Sequence, residues 1–199
     1  MARTLPAARV SGLLLAGLLL ACAGAHGSVY PIDSARSQAV FGVRVLWLHT
    51  ISGRFAQIVG MLRPRPDQTA TVDASIDVQS VQMSSARTRR WMLSAEFFDA
   101  AHYPQIHFDS DPVPLSALAQ GGRIDGRLAM RGQVRPVQFE LLPSRCSLER
   151  PGQCVIELRG NISRADFGMS GYRGALSDRV DLALEIALEP AREAAAPGH

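Results

Sequence analysis

From Val180 to Glu189 the chain alternates without a break. Val180, Leu182, Leu184, Ile186 and Leu188 share one parity, and Asp181, Ala183, Glu185, Ala187 and Glu189 share the other. A helix repeats every 3.6 residues, so strict period two admits only a strand with one dry face and one wet face. The same pattern recurs where Val72, Ala74, Ile76 and Val78 alternate with Thr71, Asp73, Ser75 and Asp77. It recurs again where Ile124, Leu128 and Met130 oppose Arg123, Asp125, Arg127 and Arg131. One-sided strands of this kind build antiparallel sheets, because parallel sheets are buried on both faces. Weaker strands are expected at 39–46, 52–62, 105–110, 137–142 and 155–162, which brings the count to eight. An even set with short turns can close on itself and remove exposed edges. The expected fold is therefore all-β, an eight-stranded antiparallel lipocalin-like barrel. One short helix near the barrel end is expected within Ser84–Ser94, where alternation stops, with Ser84 or Ser85 as its cap.

The first 25 residues read as a targeting segment. Arg3 and Arg9 precede an apolar run from Val10 to Ala21, and Ala23-Gly24-Ala25 offers a cleavage site before His26. A lipoprotein signal ending at residue 21 is the competing reading, with Cys22 carrying the lipid and tethering the protein to a membrane. Either route leads to the periplasm. Residues 29–189 form one domain, and 190–199 are small and polar, as in a disordered tail. The formal charge of +3 falls to +1 when Arg3 and Arg9 leave, and a near-neutral domain is a poor match for nucleic acid. Cys146 and Cys154 remain as a pair suited to a disulfide in an oxidising compartment, with Pro151-Gly152 marking a turn between them.

Several short motifs in order resemble a known family. They are Tyr30-Pro31-Ile32-Asp33, Gly53-Arg54-Phe55, Leu93-Ser94-Ala95-Glu96-Phe97-Phe98-Asp99, Tyr103-Pro104-Gln105-Ile106-His107-Phe108 and Arg164-Ala165-Asp166-Phe167-Gly168-Met169. Together they look like the YceI-like lipid or polyisoprenoid-binding domain, over roughly Val29 to Glu189. The resemblance implies a long apolar ligand, a polyisoprenoid or quinone-like lipid, held in the lumen of a periplasmic barrel. It implies binding rather than catalysis. Members often carry His-Ser after the opening Asp and Arg-Asp-x-His-Leu in the helix; here these are Arg36-Ser37 and Arg89-Arg90-Trp91-Met92-Leu93.

Parity and resemblance together select the candidate ligand contacts. Phe41, Val43, Phe55, Phe108, Leu128, Met130, Phe139 and Leu184 are expected to face inward, and Phe97 to lie in the turn after the helix. Trp47 and Trp91 are candidates for the entrance. Arg87 and Arg90 on the helix are candidates for meeting a phosphate or quinone head group. Each inward residue serves ordinary core packing equally well, and a solvated helix face is the competing reading of the arginines. Arg164 and Asp166 are expected to pair and hold the loop before the last strand.

No catalytic group, metal or cofactor is expected. His102, His107 and Asp109 form the one local group that suggests a metal, but His102 falls in a turn away from the other two. No G-x-S-x-G elbow and no Gly-rich phosphate loop is present. Two readings stand beside lipid carriage: a packed barrel acting as an interaction or stress-response module, and a hydrolase or isomerase on an amphipathic substrate. The oligomeric state is left open.

Overall fold

The computed structural model describes residues 28–46 and 48–193. Trp47, the expected targeting segment with Cys22, and residues 194–199 lie outside the described residues. Thirteen strands are found among the described residues. They are β1 (Ser28–Pro31), β2 (Gln38–Val45), β3 (His49–Phe55), β4 (Ile58–Pro64), β5 (Thr69–Asp77), β6 (Val81–Met83) and β7 (Gln105–Ser110). There follow β8 (Val113–Pro114), β9 (Gly122–Met130), β10 (Gln133–Leu141), β11 (Val155–Ser163), β12 (Leu176–Ala187) and β13 (Arg192–Glu193). Two helices join them, α1 (Ala86–Leu93) and α2 (Ala117–Gln120).

The expected count of eight strands is therefore corrected. Two long strands turn corners, which period-two reading cannot detect. Only Ala56 and Gln57 separate β3 from β4, and a single 3-10 turn at Val78–Ser80 separates β5 from β6. The two corners meet, since Asp77 N–H donates to the Gln57 carbonyl at 3.2 Å. The remaining additions, β1, β8 and β13, are too short to show a period. Arg192–Glu193, inside the segment read as a tail, pair with β1. Two helices, where one was expected, are found among the described residues, and α2, with only four residues, is too short to show a helical period.

All pairings are antiparallel, in one strongly curled sheet. From β4 the path runs through β5, β7, β9, β10, β11, β12 and β2 to β3, which continues directly into β4. The apolar parities of these strands all turn to the concave side, where they form one core cluster. α1 starts as its sequence dictates: Ser85 Oγ accepts from the Thr88 N–H at 3.4 Å, capping the first turn.

The two ends of the curl are built differently. At one end, Cys146 and Cys154 form a disulfide in the loop between β10 and β11, as expected, and both are buried. This loop is fastened to α2 by Ser144, whose Oγ donates to the Leu118 carbonyl at 2.6 Å. Leu118, Leu141 and Ile156 pack beneath it. A bond across 8 positions restricts the unfolded chain by about 2–3 kcal/mol in the loop-entropy model. The paired substitution Cys146→Ser/Cys154→Ser should lower unfolding free energy by about that amount, with a denaturant slope no smaller than the parent's, since the freed unfolded chain is less compact. An unaltered urea midpoint would refute it.

Arg36 serves the frame at this end. It pairs with Asp33 at 2.6 Å and donates to the Gly152 and Leu188 carbonyls. The Arg36 hydrogen bond holds the Asp33 carboxyl below the usual carboxylate range. Ser37 is buried, and its Oγ accepts from the Ala187 N–H at 3.0 Å.

Candidate functional site

The curled sheet encloses an apolar cavity of about 150 Å³. One water needs on the order of 10–15 Å³ of such space, so this is no packing defect. Phe41, Val43, Phe55, Phe97, Phe108, Leu128, Met130, Phe139 and Leu184, all candidates from the sequence, line it. They come from β2, β3, β7, β9, β10, β12 and the turn after α1, brought together by the curl. Met92, Phe98, Met169 and Leu176 also line it and were not anticipated. They sit in α1, in the turn after it, and around the loop before β12, where no period marks a direction.

The hollow depends on rings that lie along the wall. Phe139 is the cross-strand partner of Gly160, and Phe41 that of Gly53. A Cβ at Gly160 would stand 2.6 Å from Phe139 Cδ1, and one at Gly53 would stand 2.6 Å from Phe41 Cζ. Each phenyl ring therefore occupies the place of the missing side chain instead of projecting into the lumen. Phe41 also touches Phe55 and Phe98 with ring centroids 5.5 and 5.7 Å apart, and Phe108 meets Phe139 edge-on at 5.6 Å. Such contacts fix ring positions.

Among the described residues, one charged residue reaches this apolar space. Arg164 is 3% exposed and lines the cavity at the end opposite the disulfide. The expected pairing with Asp166 is corrected. Arg164 donates instead to four backbone carbonyls: Ser177 at 2.9 Å, Met169 at 2.5 Å, Gly171 at 2.7 Å and Leu176 at 3.2 Å. Burial pushes its guanidinium below the ordinary value, the nearby Asp178 charge opposes this, and Arg173 adds to it. The group remains a cation. Its planar fork suits several fixed carbonyls at once, so one side chain shapes the loop that ends the lumen.

The remaining candidates lie outside. Arg87 and Arg90 are exposed on α1 and do not line the cavity. Arg89 donates to the Val81 and Gln79 carbonyls and fastens α1 to the sheet. Trp91 is half-buried, edge-on to Phe97 with centroids 4.5 Å apart, and its Nε1 donates to Glu96. Trp47 lies outside the described residues.

The histidine group also differs from expectation. His102 pairs with Asp99 at 2.9 Å. His107 is joined instead by Asp73, which stands opposite Asp109 across β5 and β7. His107 Nε2 lies 3.6 Å from Asp73 and 3.4 Å from Asp109, while Ser75 Oγ bonds its Nδ1 at 2.8 Å. All three side chains are partly exposed on the polar parity, away from the lumen. Strand register, invisible in one sequence, is what brings Asp73 there.

The YceI-like domain model matches residues 30–188. The chain belongs to that family. Proteins named YceI from Salmonella arizonae and Salmonella dublin are 27% identical over 189 residues, covering 88% of this chain and 94% of theirs. Among solved structures, this YceI-like domain resembles BcnA of Burkholderia cenocepacia, with TM-score 0.65 and 17% identity over 79% of this chain and 99% of that one. It also resembles a polyisoprenoid binding domain from Saccharophagus degradans, with TM-score 0.58 and 17% identity over 81% and 98%. A Campylobacter jejuni YceI protein gives TM-score 0.57 and 21% identity over 71% and 86%. At these identities the structural likeness speaks for the fold.

Proposed function

We propose that this YceI-like domain binds an apolar polyisoprenoid or quinone-like lipid non-covalently in its lumen and carries or stores it in the periplasm. The observation that carries the reading is the hollow itself: about 150 Å³ walled by apolar side chains, with the Arg164 donors turned to backbone carbonyls. An apolar cavity of ~150 Å³ stays dry and accepts an apolar guest. In this reading the sheet acts as a closed barrel. The lumen holds a segment of a prenyl chain, and each buried CH₂ contributes about 0.8 kcal/mol before ordering costs. The head group stays near the Arg164 end, because the walls offer no convergent polar groups to receive it. The same lack of convergent groups supports binding over catalysis. The name of the Saccharophagus protein agrees with this ligand class. The basic start and apolar run of the first 25 residues support export, with Cys22 as the residue to be acylated if the lipoprotein route is taken.

Organic extraction and native mass spectrometry of gently purified protein test the reading. A prenyl lipid near one per chain is the expected result. Protein that emerges lipid-free and fails to take up added prenyl quinone would end it.

A further inference from the structure

Three apolar side chains stand in solvent at the Arg164 end: Leu46 at 58% exposure, Leu48 at 80% and Tyr172 at 51%. They belong to one locality. Leu46 N–H donates to the Ala175 carbonyl at 2.8 Å, tying the β2–β3 turn to the loop before β12. Tyr172 lies parallel over Phe97 with centroids 6.3 Å apart and edge-on to Trp91 at 5.2 Å. Phe97 in turn lines the lumen. An apolar path therefore runs from the cavity wall to the outer surface.

Arginines surround this path. Arg44, Leu46 and Arg173 border a surface depression whose floor includes Ile162 and Leu176, and both of those residues also line the lumen. Arg87 lies four residues before Trp91, on the same face of α1, and Arg90 follows it. Among the described residues, none of these four arginines has a carboxylate within ion-pair distance. The acids nearby are otherwise engaged: Asp178 accepts from the Ala165 N–H and Glu96 from Trp91.

Exposed leucines at a turn, set among unpaired arginines, are the surface that an anionic bilayer fits. Apolar side chains enter the acyl boundary while the cations meet lipid phosphates. We propose that this end docks on an anionic phospholipid surface, with Leu46, Leu48 and Tyr172 inserted and Arg44, Arg87, Arg90 and Arg173 on the phosphates. This rests on the lipid-binding reading, and it supplies the partner from which the lumen fills.

The test is co-sedimentation of the protein processed before His26, which carries neither the apolar run of the first 25 residues nor the Cys22 acyl site, with two kinds of vesicle. One is phosphatidylcholine alone and the other is phosphatidylcholine mixed with phosphatidylglycerol. Binding should favour the anionic vesicles and weaken with salt. It should fall at least ten-fold in Leu46→Ser/Leu48→Ser and in Arg44→Glu/Arg173→Glu, each compared with the parent, while uptake of a prenyl quinone presented without vesicles is unchanged. Equal binding to both vesicles, or variants that bind like the parent, would overturn the proposal. So would leucine variants that abolish a concentration-dependent dimer without affecting vesicle binding, since a second copy would then cover the patch. Filling the lumen with Ala74→Trp separates the two claims: docking should persist when cargo is lost. Docking by a parent that never holds lipid would sink the carriage reading and leave this one standing.

Discussion

Gly53→Ala and Gly160→Ala, combined, should cut prenyl-lipid binding by at least ten-fold while leaving the protein folded. Each added methyl would arrive 2.6 Å from a phenyl carbon, of Phe41 and Phe139 respectively, well inside contact distance. At Gly53 all the close atoms are side-chain atoms, so the backbone has no need to move. The nearest free space for each ring is the lumen that it already borders. Two rings swung inward occupy the room a prenyl segment would use. Overpacking of this kind costs about 1–3 kcal/mol in a tight core, and the adjoining hollow should hold the loss at the low end. A direct plug, Ala74→Trp, checks the same point, because Ala74 lines the cavity on β5. The measurements are extraction of bound lipid and quenching of tryptophan fluorescence on adding a prenyl quinone. Undiminished binding in both variants would place the ligand elsewhere.

Arg164→Met should be the most destabilising single change, at about 3–5 kcal/mol. Methionine fills much of the volume but donates nothing to the carbonyls of Ser177, Met169, Gly171 and Leu176. A buried carbonyl left without a partner costs about 1–3 kcal/mol, and partial relaxation keeps the sum below four times that. For a domain of this size the loss corresponds to a fall of roughly 10 °C in Tm. Arg164→Lys should recover only part of it, since an ammonium cannot span carbonyls on several sides. A shift under about 1 kcal/mol, of the size expected for a surface charge, would show that the loop holds itself. Amide exchange should localise the loosening to the segment from Met169 to Leu176.

Much of this was legible wherever a residue's direction follows from parity alone. Phe41, Phe108, Leu128, Phe139 and Leu184 lie on regular strands, and the structure turns each of them to the cavity as their alternation implies. Ser85 could be read as a cap because that role depends on the two or three residues that follow it. What escaped the sequence depends on distance through space. The corners at Ala56–Gln57 and Val78–Ser80 exist because two strands bend together, which neither strand's own pattern encodes. Asp73 joins His107 and Asp109 only through the β5–β7 register. Arg164 looked like half of an ion pair because an aspartate stood two places on. Its actual partners are carbonyls, and every residue type supplies those. Met169 and Leu176 face the lumen because that arginine folds their loop inward.

The unlike ends of the molecule decide how any cargo must travel. One end is locked by a covalent bond and a helix fastened beneath it, whereas the other is closed by α1 with the turn after it and by the Arg164 loop, all held through hydrogen bonds. If the proposed prenyl chain is held here, such an architecture is a cul-de-sac: the chain would not pass through and would back out along the route it came in. Under that proposal, whichever terminus entered first would be the last released, and the time needed to unload would grow with the length taken in.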